Sequence, residues 1–453
     1  MKTHVSLIVA ALTSAGILTT SLPAQADNLL NLYREAVQSD AVYLAAQADN
    51  QANREMESQA LARLLPNMSF SGSYIKNSND QTYLEGLGAG ETVNDKYTKR
   101  NYTLGASQPL FRAGSYAAWK GSQALVESAD AELQWVGQEV GTRVSTAYFD
   151  VLFAEANLEV IKAQRDAYLM QLDYAQKAFQ AGKGTRTDID EARSQLDLAA
   201  AQTIEQQYQL NYARDTLKAI IDRPLGPLAR LNPERMQLVR PDPDRLEDWI
   251  RKAEEANPRL IALRAFVEAA DFQVYKALAS HLPTVDLVAQ YTKTKNDFRE
   301  QTRAALKNEI TAYGVRFEMP IFAGGETQSQ VRQARAELEK ARQQLETERR
   351  KVGLQVRKEF DSIAQGVSWV YAYDQAVKSA EQALVSTRKG FMGGTRTTLD
   401  IIVAERNLAT ARRDLNRGRY VYVLSRLNLL ALVGQLNETE ITRFNGWLEE
   451  RAE

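Results

Sequence analysis

A three-four apolar rhythm runs twice through this chain in one register, and that duplication limits the possible folds more than any other feature. In the first copy Leu133, Val136, Val140, Val144, Ala147, Val151, Ala154, Leu158 and Ile161 keep the rhythm, as do Tyr168, Leu172, Ala175 and Phe179 after one skipped beat at Arg165. Moving 212 positions along (133 to 345) lands on Leu345, Val352, Val356, Ile363, Val370, Tyr373, Ala380, Leu384 and Phe391, with Tyr148 answered by Phe360. A 3.5-residue apolar period held for six heptads specifies long helices that bury a seam against partner helices. Finding it twice makes the chain a tandem of one structural unit.

The first residues read as an export signal. Lys2 and His4 precede an apolar stretch from Val5 to about Thr19, and Ala24-Gln25-Ala26 ends in small residues, so cleavage is expected after Ala26. A membrane anchor is the competing reading, but the stretch is short for a span and contains Thr13, Ser14 and Gly16. Composition then removes several chemistries. With no cysteine there is no disulfide, zinc–thiolate site or lipidated cysteine. His281 is the only histidine outside the signal and reads as a junction residue beside Leu282-Pro283. A net charge of -1, from 56 basic and 57 acidic residues, provides no field that draws nucleic acid.

Each half repeats one order of elements. Residues 1–26 are the signal, and 27–222 form the first repeat: a helix from Asn28 to about Leu64, a strand pair about 67–109, and a long helical hairpin about 115–222. A proline-rich linker, 223–243, leads to the second repeat, 244–438, with its strand pair about 284–320 and its hairpin about 326–436; 439–453 is a short C-terminal segment. Pro66 and Pro283 stop the first helix of each copy. Asn257 and Pro258 read as the cap and first residue of a helix. Gly182 and Gly393-Gly394 mark the hairpin turns, with return helices expected from about Asp188 to Ile221 and from about Leu399 to Leu436.

The four alternating segments, each about ten residues long, set the environment. Met68, Phe70 and Tyr74 alternate with serines, Tyr102 and Leu104 with Thr103 and Gly105, Val285 and Tyr291 with Asp286 and Thr292, and Val315 and Phe317 with Arg316 and Glu318. That length suits tilted strands crossing a bilayer, with one face apolar and one polar. A soluble sandwich is the alternative. A sheet in lipid has to close, because open edges leave backbone groups unsatisfied. Four strands cannot close alone; two copies would give a filled barrel and three a barrel with room for a lumen. The polar faces favour three. The expected fold is therefore mainly α with a membrane β-barrel contribution: two tandem α-β-β-α-α repeats, a homotrimeric twelve-strand barrel, and an α-helical coiled-coil tunnel continuing it.

Several motifs carry a family resemblance. Gly394-Thr395-Arg396-Thr397-Thr398-Leu399-Asp400-Ile401-Ile402, Asn257-Pro258-Arg259-Leu260, Met319-Pro320-Ile321-Phe322-Ala323-Gly324-Gly325 and Leu432-Val433-Gly434-Gln435-Leu436-Asn437-Glu438 are similar to the TolC outer-membrane factor family. The similarity covers essentially the whole mature chain. It implies a homotrimeric exit duct in the outer membrane, serving type I protein secretion or drug efflux, with a periplasmic adaptor protein and an inner-membrane transporter as partners. It also implies that Thr187, Asp188, Phe391, Arg396 and Asp400 close and constrict the tunnel mouth. Two departures stand out: Phe391 replaces a tyrosine that donates a closing hydrogen bond, and Val403 occupies a position where a second constricting aspartate is common.

Read physically, Asp188 and Asp400 lie six residues after Gly182 and Gly394. One reading is helix capping, with Thr187 or Thr398 assisting; the other is an acidic ring at the tunnel mouth, locked by Arg396. The exposed tips, with Lys183, Arg186, Lys389 and Gly394, are the candidate adaptor-docking surface. No dinucleotide, phosphate-loop or nucleophile-elbow motif is complete, so neither catalysis nor a cofactor or metal is expected. Missing the lipidated cysteine common in efflux relatives, the chain reads as a secretion duct, with efflux as the alternative and a secreted coiled-coil scaffold as a more distant one.

Overall fold

The computed structural model describes residues 27–82, 84–86, 89–298 and 305–449, so the expected signal and parts of both strand-connecting loops lie outside the described residues. In chain order the first half contains α1 (Leu29–Ser39), α2 (Ala41–Ala62), β1 (Asn67–Thr82), β2 (Thr92–Phe111), α3 (Ala113–Gln180) and α4 (Arg186–Ile221). After β3 (Arg230–Leu231) come α5 (Leu246–Ala256), α6 (Pro258–Ala279), β4 (Thr284–Phe298), β5 (Leu306–Glu318), α7 (Glu326–Met392) and α8 (Thr398–Leu432), then α9 (Glu438–Asn445) and β6 (Leu448–Glu449). Among the described residues no helix is long and apolar enough to cross a membrane.

The helix expected from Asn28 to Leu64 is broken at Asp40. Asp40 adopts an extended backbone, its carboxylate accepts the Tyr43 N–H at 3.3 Å, and it pairs with Arg143. A buried N-cap aspartate with a half-buried arginine partner starts a new helix here in place of one more turn. Asn257 does the same between α5 and α6: its Oδ1 accepts the Leu260 N–H at 3.2 Å and its Nδ2 donates to the Leu432 carbonyl at 2.8 Å. The last return helix ends at Leu432 rather than Leu436. Gly434 there takes φ +68°, and a Cβ on it would lie 2.7 Å from the Ala256 carbonyl oxygen.

The two long helices run 68 and 67 residues, on the order of 100 Å each. α3 packs against α2 and α6 on the strand side and against α4 on the turn side; α7 packs likewise against α6 and α8. The seam is deepest at mid-length, where Val140, Val144, Tyr148, Val151, Val352, Val356 and Ile363 are almost fully buried with Tyr422 and Leu427. A collar surrounds this point. β3 pairs with β6, Asp27 bridges Leu228, and α1 and α9 pack beside them. Two buried tyrosines strap the linker down: the Tyr148 hydroxyl donates to the Ala229 carbonyl at 2.6 Å, and the Tyr422 hydroxyl accepts the Val239 N–H at 2.9 Å.

β1, β2, β4 and β5 form one antiparallel sheet in the order β1-β2-β4-β5. The strands are 16, 20, 15 and 13 residues long, more than the ten expected. Their outer ends are polar on both faces, so the pairing continues where the apolar alternation stops. One face carries rows such as Phe70–Leu104–Tyr291–Thr311 and the other rows such as Ser71–Thr103–Thr292–Ile310, with the Thr103 and Thr292 hydroxyls 3.3 Å apart. Where strand meets helix, Arg112 donates two bonds to Asp286, Nε to Oδ1 at 2.8 Å and Nη2 to Oδ2 at 2.7 Å, and Asp286 is buried. β1 and β5 each leave one edge without a partner strand among the described residues.

Candidate functional site: the two hairpin tips

The two helical turns share one backbone solution. After α3 the Gly182 N–H donates to the Phe179 carbonyl at 2.9 Å and the Lys183 N–H to the Ala178 carbonyl at 2.9 Å; after α7 Gly394 donates to Phe391 at 3.0 Å and Thr395 to Gly390 at 2.9 Å. This is a Schellman ending, which requires a left-handed residue, and Gly182 and Gly394 take φ +71° and +74°. A reciprocal capping box then starts each return helix. Asp188 N–H donates to the Thr185 hydroxyl at 3.1 Å while Thr185 N–H donates to Asp188 Oδ2 at 2.9 Å. Asp400 N–H and the Thr397 hydroxyl are 3.2 Å apart, and Thr397 N–H lies 2.8 Å from Asp400 Oδ2. The caps are therefore Thr185 and Thr397, not Thr187 or Thr398, which already lie inside the return helices.

Thr187 is exposed and its side chain makes no hydrogen bond within the described residues, whereas Thr398 is buried, with its hydroxyl on the side of the Asp188 carboxylate of the other tip. Both acids are held below the ordinary carboxylate range. For Asp188 the Thr185 hydroxyl is the main cause, then the Thr185 N–H, with Thr398 adding less. For Asp400 the Thr397 N–H leads, then its hydroxyl, and the Arg396 charge contributes least. Arg396, in the turn just before α8, lies 3.7 Å from Asp400 and is mostly exposed, so the pair is weak in a single chain.

Phe391 stacks edge-on against Tyr174 of α3 with ring centres 5.2 Å apart, beside a small cluster of Leu384, Ile401 and Leu408. It joins the two hairpins by packing. Tyr174 lies off the heptad seam, so no sequence signal singled it out. Behind this contact Glu405 is buried against Arg388, and a cavity of about 310 Å³ separates the hairpins. Val403 is partly exposed on the α8 face. Of the docking candidates, Lys183 and Lys389 are exposed without an ion pair among the described residues, and Arg186 lies 3.4 Å from Asp190.

Equivalent positions differ in one exchange of bulk. In the first tip Ala178 faces Gly184, where an added Cβ would meet the Phe179 nitrogen at 3.1 Å and Ala178 Cβ at 3.2 Å. In the second tip the arginine, Arg396, stands where the first has Gly184, and its partner is Gly390; a Cβ on Gly390 would lie 2.8 Å from Arg396 Cγ. The missing methyl at 390 makes room for the arginine.

Comparison with known proteins agrees with this architecture. The family described as "Outer membrane efflux protein" matches residues 32–222 and 249–435. The outer membrane protein TolC of Vibrio cholerae is 30% identical over 96% of this chain and 97% of its own length. The alkaline protease secretion protein AprF of Pseudomonas aeruginosa is 30% identical over 91% of this chain and 85% of its own. Among solved structures, the outer membrane protein VceC of Vibrio cholerae superposes with a TM-score of 0.76 at 21% identity, covering 90% of this chain and 97% of that one. The CmeC outer membrane channel of Campylobacter jejuni gives 0.76 at 14% identity over 98% of each chain. With the family match spanning both copies of the repeat, the chain belongs to the outer membrane efflux protein family, a family of channels seated in the outer membrane with a periplasmic extension.

Proposed function

We propose that three copies of this chain close into one exit duct. The observation that carries the reading is a four-stranded sheet with two unpaired edges and opposed polar and apolar faces, continued by helices on the order of 100 Å long. In lipid those edges need partners, and pairing β5 of one copy with β1 of the next satisfies both. Exposed apolar side chains at Ile204, Tyr208 and Tyr212 of α4 and Leu354 and Tyr371 of α7 fit the same assembly, since neighbouring copies would cover them.

In this duct Asp188, Arg396 and Asp400, tripled by symmetry, ring the periplasmic mouth, with Thr187 beside them and Phe391 packing the hairpins together. Ionised carboxylates there attract cations and repel anions. A periplasmic adaptor protein meets the tips around Lys183, Arg186, Lys389 and Gly394 and links the duct to an inner-membrane transporter. The work is passage, not covalent catalysis. Protein secretion is the favoured cargo class, supported by relatives named for protease secretion, AprF of Pseudomonas aeruginosa and PrtF of Dickeya chrysanthemi, both 30% identical. Drug efflux is the second reading, supported by the efflux protein BepC of Brucella suis at 24% identity.

Single-channel recording in planar bilayers tests the mouth. Arg396→Ala is expected to raise the open level and Asp400→Ala to weaken block by divalent cations; no change in either removes the gate reading. Deleting the gene and assaying both a secreted protease and drug sensitivity separates the two cargo classes.

A further inference from the structure

The lipid-facing side of the sheet ends, at the loop end remote from the helices, in a basic row. The apolar rows run from Phe317 and Val285 up to Leu104 and Tyr291, roughly 20 Å along the strand. The next row outward is Tyr102–Lys293–Glu309, and the one after is Tyr74–Arg100–Lys295–Lys307. Glu309 lies 3.3 Å from Lys293 and 2.8 Å from Lys307, while Asp297 lies 3.0 Å from Lys295 and 3.7 Å from Arg100. Four cations against two acids leave the patch at +2 in a chain whose total is -1. Further out on the same face Lys76 and Lys96 stand against Asp80. On the lumen face at the same height the row is Ser73–Asn101–Thr294–Asn308, without charge; Lys99 stands one row beyond it, followed by Asn296 across the pair. Charges that were merely solvated would have no reason to collect on the face that is apolar below.

Tyrosines mark the membrane–water boundary, and here Tyr74 and Tyr102 share their rows with the cations. The Arg100 guanidinium lies over the Tyr74 ring at 5.7 Å, which holds it close to the surface. We propose that this row binds the phosphate groups of the phosphorylated glycolipid that fills the outer leaflet, with Arg100, Lys295 and Lys307 as the principal contacts. The proposal rests on the outer-membrane barrel reading. Three copies would carry the row around the barrel as a continuous basic belt, one step above the apolar band.

The test places the assembled protein in phosphatidylcholine nanodiscs doped with diphosphorylated lipid A, monophosphorylated lipid A or phosphatidylglycerol, and counts retained lipid by native mass spectrometry. Wild type is expected to retain the diphosphorylated glycolipid several-fold over the other two. The variant Arg100→Gln, Lys295→Gln, Lys307→Gln should lose that several-fold preference entirely, since one cationic contact is worth roughly fivefold, while keeping heat-modifiable migration and conductance. Raising salt from about 50 mM to about 0.5 M should erase the wild-type preference, which gives a readout independent of the variant. Equal retention of phosphatidylglycerol, an unchanged preference in the variant, or a salt-insensitive preference overturns the proposal. A wild-type chain that fails to enter the disc sinks the barrel reading instead, so the two failures are distinct.

Discussion

The two copies of the repeat agree in backbone and disagree in charge. Both tips use the same Schellman glycine and the same Thr–Asp capping box, with hydrogen bonds that match to within a few tenths of an ångström. Yet the second tip carries Arg396 where the first has Gly184, and the first copy carries Arg112 at the strand-to-helix joint where the second has Ala323. The shared residues are those each half needs in order to fold. These two unshared residues lie at the hairpin tips and at the root of the sheet.

A set of substitutions and one titration break or sharpen that contrast. Arg112→Ala makes the copies alike at the joint and takes both hydrogen bonds from the buried Asp286, leaving only the charge of Arg316 across the strand pair. It should cost about 2–3 kcal/mol, less than a fully buried pair because Arg112 is partly solvated; the temperature at which the trimer dissociates on a gel reads it. Thr185→Ala and Thr397→Ala should cost about 1 kcal/mol each, equally, as loss of hydrogen-exchange protection in the first turns of α4 and α8, while Thr187→Ala stays within about 0.5 kcal/mol. Gly390→Ala should displace Arg396 and reproduce the conductance change of Arg396→Ala without removing its charge. In the first tip Gly184→Arg should be tolerated only together with Ala178→Gly.

The smallest expected effect is on pH. Both acids have lowered folded pKa values, so their stabilisation is complete above the unfolded value near 3.9 and is lost as pH falls through the folded value. Cation block and tip protection should therefore hold from pH 7 to about 5 and fade below about 4. A midpoint near neutrality would mean that other groups control the mouth.

Much of this architecture was legible in the residues because its signals are local and periodic: the seam, the alternation, the turn glycines. What escaped depends on contacts distant in sequence or on pattern ending before structure does. The break at Asp40 follows from its pairing with Arg143, more than a hundred residues away. Strands outrun their apolar rows since backbone pairing needs no particular side chain. Phe391 was visible, but its partner Tyr174 was not, lying on the flank of the helix and not on the seam. The capping threonines were misplaced by one or two positions, an error only the hydrogen-bond geometry corrects.

The unpartnered margins of the sheet also bear on how the protein is made. An isolated subunit displays two rows of unsatisfied amides and carbonyls, the same display that recruits stray strands into aggregates. In the three-copy duct proposed above, completing the fold and meeting two siblings are one event, so the yield of mature channel should rise steeply with the supply of newly exported chains. A cell making too few would accumulate orphans for its proteases, not partial channels.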